Sequence, residues 1–356
     1  MKSFKSIVLA ALAVLVVAAC APVAPVSAQS SSLSIAPKKN YLIEAGKTEK
    51  DKLNIRNLDS TSDLTLYLRV IDFTYTDETG TPKLFLDGDT EPTTWSLRSY
   101  LKVPETVTVP KGKSASVDMS VTMPKGIGAG SYYSAIVYST SAPDATGKGN
   151  VGLAASGTTL AFVTVPGAMN EEMNFLKLGA YSKTAQKYQY ITMDEPQVIG
   201  YTLENKGNVA EAPVGSMVLK NRFFGFEYNI AQVNPNKSLA LIGQTRTFEA
   251  CVKTAGQEQN FNGDTNEGNQ CVSAGLWPGL YTVNAELFYG QNGNLTKELH
   301  KNAHFWYLPL WFIILAVLAL LGLAFVIWRT IVMIRGGSFK VGGRPRTRKS
   351  SSRRHR

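Results

Sequence analysis

The strongest constraint in the sequence is an apolar run near its C-terminus. From Trp306 to Trp328 the chain has 23 residues without a charged side chain. At about 1.5 Å per residue, a helix of this length reaches about 34 Å, which is enough to cross a hydrocarbon core of about 30 Å. Aromatic rings stand at both ends of the run, as in the interfacial belts of spanning helices: Trp306, Tyr307, Trp311 and Trp328. We therefore expect residues 306–328 to form one transmembrane helix.

The segment after this run carries as much positive charge as the whole chain. Residues 329–356 contain ten Lys and Arg residues and no acidic residue, and the chain has a formal net charge of +10. By the positive-inside rule this basic tail stays in the cytoplasm, where it can rest on anionic lipid. A docking or signalling segment and a nucleic-acid-binding arm are alternative interpretations. Its last basic residues are Arg344, Arg346, Arg348, Lys349, Arg353, Arg354 and Arg356.

The N-terminus has the features of an export signal. Two lysines precede an uncharged run from Ile7 to Ala19 that is short for a membrane span. Small residues favour cleavage between Ala28 and Gln29, which makes residues 1–28 a signal peptide. The alternative is lipidation of Cys20, because the four residues ending there have the form of a lipobox. Because the tail accounts for +10 and the signal for +2, the exported part has a net charge of −2. It therefore lacks the basic footprint of a nucleic-acid-binding protein.

The segment between these ends has the sequence pattern of β-strands. Short runs alternate with a period of two, and Gly, Pro, Ser, Thr and Asn recur between them. The length suits two sandwiches of about 130 residues each. We expect an all-β fold with two tandem immunoglobulin-like β-sandwiches, at residues 29–165 and 169–302, a hinge at residues 165–168, and the C-terminal transmembrane helix. The alternating runs include Leu64–Val70, Ser116–Val121 and Tyr281–Leu287.

The two halves of this central segment share one pattern of strands and turns. Leu53–Asn57 leads into a polar turn, and so does Tyr201–Asn205 in the second half. Each half then closes with a strand, a turn containing Pro and Gly, and a second strand. The similarity lies in the pattern of residue types, since few identities are shared.

Two cysteines remain after export, and they bound an insertion in the second half. An even pair in an oxidising compartment predicts a disulfide between Cys251 and Cys271. The segment between them is rich in Asn, Gln, Gly and acidic residues, so it has too few apolar side chains to form a core. Asp264, Asn266 and Glu267 suggest calcium, but they lack the order of an EF-hand, which favours a solvated loop.

Short turn and strand motifs follow one another in a set order in both halves. They are Leu33–Pro37, Glu44–Lys47, Leu53–Asn57, Val103–Gly112 and Val121–Pro124 in the first half, and Leu203–Asn208 and Pro213–Ser216 in the second. This order resembles that of the WxL-interacting cell-surface proteins of Gram-positive bacteria. The resemblance implies a peptidoglycan-binding-like first domain, a second immunoglobulin-like domain that binds partner or host proteins, one C-terminal transmembrane helix and a basic tail.

Residues for catalysis or metal binding are scarce. His300 and His304 have no His-Glu-x-x-His arrangement, and no nucleophile elbow or phosphate-binding loop occurs. The adjacent carboxylates of Glu171-Glu172 and Asp194-Glu195 fit solvated turns better than an acid–base pair, since strand neighbours point to opposite faces. We expect a protein that is not an enzyme and that uses no cofactor and no metal.

Aromatic side chains offer two candidate binding surfaces. One is the group Tyr132, Tyr133 and Tyr138, and the other is the segment Arg222–Phe226. Aromatic rings serve recognition of sugars and peptides, although ordinary core packing is the alternative for each cluster.

Together these patterns predict a membrane-anchored binding protein of a bacterial cell surface, with its N-terminus outside and its C-terminus in the cytoplasm. Its expected partners are the bilayer, with anionic lipid under the tail, and peptidoglycan or another surface protein held by the outer domains. The alternative is a single-pass receptor or adhesin with a signalling or docking tail.

Overall fold

The computed structural model describes residues 33–85, 93–142, 157–231, 233–255, 270–290 and 297–336. The chain divides into two compact units. Unit 1 comprises Met1–Thr74 and Pro82–Met169, and unit 2 comprises Tyr75–Thr81 and Asn170–Arg356.

Unit 1 is a β-sandwich. Its strands are β1 (Leu33–Ile35), β2 (Lys38–Leu42), β3 (Thr48–Asn57), β4 (Leu64–Ile71), β5 (Phe73–Tyr75), β6 (Pro82–Leu84), β7 (Leu101–Lys102), β8 (Thr106–Val109), β9 (Ser114–Thr122), β10 (Gly130–Ser139) and β11 (Gly157–Val165). One sheet has the order β1-β3-β9-β7 and the other the order β2-β11-β10-β4-β8, while β5 and β6 form a separate hairpin.

The period-two alternation of the strands determines which side chains fill the core of unit 1. In β3, Leu53 and Ile55 point inward and are buried, whereas Lys52 and Asn54, which alternate with them, are exposed. The inward residues of the facing sheet, such as Leu66 and Ile136, complete the same buried cluster. Each such side chain contributes about 1.5–3 kcal/mol through removal of apolar area from water.

Unit 2 is a second β-sandwich followed by a helix. Its elements are β12 (Met173–Ser182), β13 (Lys187–Tyr188), β14 (Ile191–Thr192), β15 (Val198–Asn205), β16 (Val214–Asn221), β17 (Glu227–Ile230), β18 (Thr245–Cys251), β19 (Gly279–Tyr289), β20 (Lys297–Tyr307) and α1 (Leu310–Gly336). The sheets have the orders β13-β12-β15-β18 and β14-β20-β19-β16-β17. The predicted all-β fold of two immunoglobulin-like sandwiches is thereby confirmed.

The two units share one topology. The strands β1-β3-β9 of unit 1 correspond to β12-β15-β18 of unit 2, and β2-β11-β10-β4-β8 corresponds to β14-β20-β19-β16-β17. Even the parallel edge recurs, since β2 pairs in parallel with β11 as β14 does with β20. The first sheets differ at their edges, because β7 lies beside β9 in unit 1, whereas β13 lies beside β12, at the opposite edge, in unit 2.

A buried asparagine occupies the same place in each unit. Asn57 ends β3 and donates its side-chain amide to the carbonyl oxygens of Ser62 and Val109, at 2.9 and 3.2 Å. Asn205 ends β15 and donates in the same way to Val209 and Ala240, at 2.6 and 2.9 Å. Each side-chain oxygen also accepts a backbone N–H two residues further on. These asparagines therefore tie a strand, its turn and a neighbouring segment together.

The helix α1 is long and apolar enough to cross a membrane. The span Leu310–Arg335 has 26 residues, and its most apolar stretch of 18 residues has a mean hydropathy of 3.0 and is not buried against the protein. At about 1.5 Å per residue, the span is about 39 Å long. Its first turn rests on Pro309, whose carbonyl oxygen accepts the backbone N–H groups of Phe312 and Ile313.

The helix begins later than the sequence pattern predicts. Trp306 and Tyr307, expected in the helix, are the last residues of β20, where they pair with Leu280 and Gly279 of β19. Tyr307 is buried in the core of unit 2 instead of lying at an interface. The second sandwich thus extends five residues beyond 302. At its other end the helix continues past Trp328 to Gly336.

Candidate functional site

Unit 1 presents a cationic polar surface on the outer face of its four-stranded sheet. The alternation that turns Leu53 inward turns Lys50 and Lys52 outward. Antiparallel register places Lys50 opposite Ser120 and Lys52 opposite Asp118 on β9. Lys102 of β7 joins them, because it also pairs with Ser120. Residues that are far apart in sequence therefore form one surface.

A shallow groove of about 820 Å³ runs along this face, and we call it the lysine groove. One carboxylate stands among its three lysines on the outer face, because Asp118 lies 3.8 Å from the ammonium of Lys52. Asp118 is largely exposed, so this pair is screened by solvent and leaves the groove with a positive potential. Its principal outer-face lining residues are Lys50, Lys52, Lys102, Pro104, Asp118 and Ser120.

A second carboxylate beside the groove is neutralised from within the sandwich. Asp51 accepts hydrogen bonds from the ammonium of Lys39 at 2.6 Å and from the hydroxyl of Tyr41 at 2.7 Å. The Lys39 bond, together with the Tyr41 bond, lowers the pKa of Asp51 to about 2. Burial and the Asp51 contact raise the pKa of Tyr41. Asp51 stays ionised and paired at neutral pH, so it does not cancel the charge of the outward lysines.

The tyrosines of β10 are packing residues. Tyr133 and Tyr138 are each 1% exposed, and Tyr132 is half-buried. Tyr132 and Tyr138 face the core between the sheets. Tyr133 points the other way and packs against Phe73 and Phe162, with ring centroids 5.3 and 5.8 Å apart. Of the two interpretations of this cluster, the structure supports packing.

The segment Arg222–Phe226, unlike the tyrosines of β10, exposes its aromatic rings. It forms the turn between β16 and β17, and Phe223 and Phe224 are 62% and 54% exposed. Their rings contact other exposed rings, with centroid separations of 5.8 Å from Phe223 to Trp306 and 5.8 Å from Phe224 to Trp277. Phe226 lies 6.0 Å from Phe224 and 6.1 Å from Trp277. We call Phe223, Phe224, Phe226, Trp277 and Trp306 the aromatic patch.

Polar side chains underneath hold the aromatic patch in place. Asn221 accepts the backbone N–H groups of Phe223 and Phe224 at 3.0 and 3.1 Å, and donates to the carbonyl oxygen of Trp277 at 3.3 Å. Gly279 allows close approach, because a Cβ there would lie 2.9 Å from the Phe223 ring and its φ is +143°. The patch is therefore built on a fixed backbone.

Glu195, expected to be a solvated turn residue, orders the loop that carries Trp277. Its carboxylate accepts the backbone N–H groups of Ala274 and Gly275, both at 2.8 Å, and of Leu276 at 3.2 Å. It also accepts the hydroxyl of Ser273 at 2.6 Å. Several N–H groups converging on one carboxylate make strong, charge-assisted bonds.

The predicted disulfide is confirmed, since Cys251 and Cys271 are bonded. Cys251 ends β18, and Cys271 begins the segment that leads to Trp277. On the chain-entropy model, closing a loop with a sequence separation of 20 stabilises unit 2 by about 3 kcal/mol.

Replacing both cysteines with serine should therefore lower the free energy of unfolding of unit 2 by about 3 kcal/mol, because the unfolded chain regains the freedom of that loop. Urea unfolding of the variant beside the oxidised wild type measures the loss. Reduced wild-type protein is the matched control and should lose a similar amount. Equal stability of the oxidised and reduced proteins would contradict the role of the bridge.

The histidines lie on β20 and make ordinary polar contacts. His304 Nδ1 lies 3.1 Å from the Thr282 hydroxyl, and His300 Nε2 lies 3.3 Å from the Glu298 carboxylate. Within the part of the chain that the structure describes, no group of three or more His, Cys, Asp or Glu side chains could hold a metal ion.

Other predicted sites lie outside the described residues. They are the signal segment with Cys20, Ala28 and Gln29, the loop residues Asp264, Asn266 and Glu267, and the basic tail with Arg344, Arg346, Arg348, Lys349, Arg353, Arg354 and Arg356.

Comparisons with known proteins give no family. No family model matches the chain, and no curated protein matches it. Among solved structures, a chaperone–tip adhesin complex of CFA/I fimbriae biogenesis is similar at 12% identity and a TM-score of 0.34, over 76% of this chain and 97% of that one. The E. coli chaperone DraB is similar at 12% identity and a TM-score of 0.32, over 76% and 98%. The Pseudomonas aeruginosa CupB2 chaperone is similar at 10% identity and a TM-score of 0.30, over 76% and 100%.

Proposed function

We propose that the protein is a membrane-anchored, non-enzymatic binding protein of a bacterial envelope that holds peptidoglycan against the cell through unit 1. The observation that carries the proposal is the lysine groove on a β-sandwich whose chain continues to the apolar helix α1. The resemblance to WxL-interacting cell-surface proteins points to the same class of ligand.

The anchoring part of the proposal depends on α1. Its 26-residue apolar span follows the last strand of unit 2, and its basic residues, Arg329 and Arg335, lie toward the C-terminal end. Together with the basic tail, this charge distribution supports a cytoplasmic C-terminus and two outer units under the positive-inside rule.

The outer face of the β3–β9 pair offers the groups that a peptidoglycan strand requires. Lysine ammoniums can pair with the free carboxylates of stem peptides. Hydroxyl and amide side chains beside them can bond the hydroxyl and acetamido groups of the sugars, as they now bond each other. Thr48 lies 3.0 Å from Thr122, and Ser116 donates to Asn54 at 3.0 Å.

Reversing the charge of the lysine groove should abolish retention on peptidoglycan. In the variant Lys50→Glu, Lys52→Glu, Lys102→Glu, three attractive contacts become repulsive. Three exposed pairs of about 0.5–1 kcal/mol each correspond to a loss of affinity of roughly 10- to 100-fold. Co-sedimentation of the full mature chain, in detergent micelles, with purified sacculi measures this loss. Raising the salt to about 0.5 M should weaken wild-type binding, because charges are then screened within a few Å.

The matched control reverses three exposed lysines in turns of the same unit, with the variant Lys111→Glu, Lys113→Glu, Lys125→Glu. It has the same net charge as the groove variant and should still sediment with sacculi. Equal retention of both variants would refute the lysine groove as the binding site. Absence of wild-type retention at low salt would refute the peptidoglycan proposal itself.

A further inference from the structure

The exposed apolar side chains of unit 2 are concentrated at one end. Among the described residues of unit 2 before α1, the large exposed apolar side chains other than Leu176 lie close to the end of β20. They are Tyr190, Ile191, Met193, Phe223, Phe224, Phe226, Trp277 and Trp306.

Strand register brings these residues to one end of the five-stranded sheet, where β20 ends. Ile191 of β14 pairs with Trp306 near the end of β20. Arg222, which begins the β16–β17 turn, donates its N–H to the carbonyl oxygen of Leu280 at 2.8 Å, and Leu280 pairs with Trp306. The aromatic patch and the β14 segment therefore flank the same strand end.

The connection from this end of the sheet to α1 is very short. Pairing of the β14 edge with β20 continues to Leu308, whose N–H donates to the carbonyl oxygen of Thr192 at 2.9 Å. Pro309 alone separates Leu308 from the first helical residue, Leu310. At no more than about 3.6 Å per residue, Tyr307 lies within about 11 Å of the start of the helix. Each interfacial layer of a bilayer is about 5–8 Å thick. This end of the sheet must therefore lie at or beside that layer when α1 spans the membrane.

We propose that the aromatic patch, with Tyr190, Ile191 and Met193, is a membrane-docking surface whose occupant is the outer interfacial layer of the bilayer that α1 spans. This inference rests on the proposed anchoring. Trp, Tyr and Phe are the side chains that settle at the lipid–water boundary, because a ring combines an apolar body with a polar or quadrupolar edge. Large exposed apolar patches mark interaction surfaces, and this one is continuous with the apolar helix.

The charges near the patch are compatible with lipid contact. Lys220 and Glu227, which flank the turn, form an ion pair at 2.6 Å. The carboxylate of Glu195 is directed at the backbone N–H groups of the Trp277 loop. The backbone under Phe223, Phe224 and Trp277 is held by Asn221 and by that loop, so docking requires little ordering of the backbone.

Depth-dependent quenching of tryptophan fluorescence tests the proposal on the full chain. The protein has five tryptophans, at positions 95, 277, 306, 311 and 328. Variants that keep only Trp277, only Trp311 or only Trp95, with phenylalanine at the other four positions, are placed in phosphatidylcholine–phosphatidylglycerol vesicles. The vesicles are prepared with and without lipids brominated near the top of the acyl chain.

Trp277 emission should fall by about twofold or more with brominated lipid, because interfacial insertion of about 5–10 Å brings the ring to the bromines. Trp311 should be quenched as well, and Trp95 of unit 1 should not. Loss of quenching at Trp311 would refute the anchoring itself. Quenching of Trp311 without quenching of Trp277 would overturn only the docking surface. Trp277 that is shielded from aqueous iodide yet unquenched by brominated lipid would show a protein occupant, which also overturns it.

A second variant separates docking from mere proximity. In the Trp277-only protein, the changes Phe223→Ser, Phe224→Ser and Phe226→Ser should abolish most quenching of Trp277. The Cys251–Cys271 bond and the melting temperature report whether unit 2 is still folded. Full quenching in a folded triple variant would show that the rings do not hold the unit to lipid, and would overturn the proposal.

Discussion

Replacing Asn205 with alanine is expected to lower the free energy of unfolding of unit 2 by about 3–5 kcal/mol. The side chain is fully buried, and it donates to the carbonyl oxygens of Val209 and Ala240 while accepting the N–H of Gly207. Alanine removes the partner of the Val209 carbonyl and of the Gly207 N–H in the interior, where each orphaned group costs about 1–3 kcal/mol. It also removes one of the two bonds of the Ala240 carbonyl, which still accepts the N–H of Glu211 at 3.1 Å. The turn after β15 and the segment around Ala240 should loosen together.

Urea unfolding combined with hydrogen exchange of unit 2 peptides measures this effect. Asn174→Ala is the matched control, because Asn174 is half-buried and makes one side-chain bond, to Glu204 at 3.2 Å. It should lose no more than about 1 kcal/mol. Asn57→Ala should reproduce the large effect in unit 1, since its contacts are the same. A loss below about 1 kcal/mol at both Asn57 and Asn205 would contradict the proposed structural role.

Removing the charge of Glu211 is expected to stabilise unit 2 at neutral pH and to change little in mild acid. Glu211 is 1% exposed, and its Oε2 accepts the N–H of Gly290 at 3.2 Å. Its other oxygen has no hydrogen-bond partner among the described residues. Burial, and next the nearby carboxylate of Glu171, raise its pKa from 4.5 to about 7, partly offset by the Gly290 bond and by Lys297.

Proton linkage gives the direction in which the stability of unit 2 changes with pH. Below pH 4.5 the carboxyl is protonated in both the folded and the unfolded chain and costs no stability. As the pH rises from 4.5 to about 7 the unfolded chain loses the proton first, so folding becomes less favourable. Above about 7 the full penalty applies, about 3 kcal/mol at about 1.4 kcal/mol per pKa unit.

The measurement is the difference in unfolding free energy between Glu211→Gln and wild type, obtained by urea titration across this pH range. Other titrating groups are common to both proteins and cancel in the difference. The variant should gain stability over wild type as the pH rises, and the two should converge near pH 4.5. A difference that stays constant with pH would show that Glu211 is not protonated preferentially in the fold.

The sequence predicts the class of fold well because half-buried strands record their two faces directly. Alternation in β3 or β19 requires no knowledge of the partner strand, and the disulfide follows from counting cysteines in an oxidising compartment. The end of unit 2 was harder to locate. In β20 the inward positions include the charged Lys301 and the small Ala303, which obscure the alternation, and its last residues run into the helix without a change of composition. Hydropathy alone therefore assigned Trp306 and Tyr307 to the helix.

The candidate surfaces were less visible than the fold because they depend on register. Lys50 and Lys102 are far apart in sequence, and only the pairing of β3 and β7 with β9 places both opposite Ser120. In the aromatic patch, the sequence indicates the Phe-rich turn but not its partner Trp277. The loop of Trp277 has no periodicity, and it is positioned by Glu195, a carboxylate that lies about 80 residues earlier.

The length of β20 determines how far apart the two ends of unit 2 lie. The chain enters unit 2 at the end opposite the helix, where the N–H of Met173 bonds the hydroxyl of Tyr289 and Tyr289 pairs with Lys297 at the start of β20. The strand has 11 residues, or about 36 Å at about 3.3 Å per residue. Within unit 2, the number of residues in β19 and β20 thus sets the distance between the entry of the chain and the start of α1. Because side chains alternate with a period of two, lengthening both strands by two residues would add about 7 Å to this distance and leave the same residues facing the core.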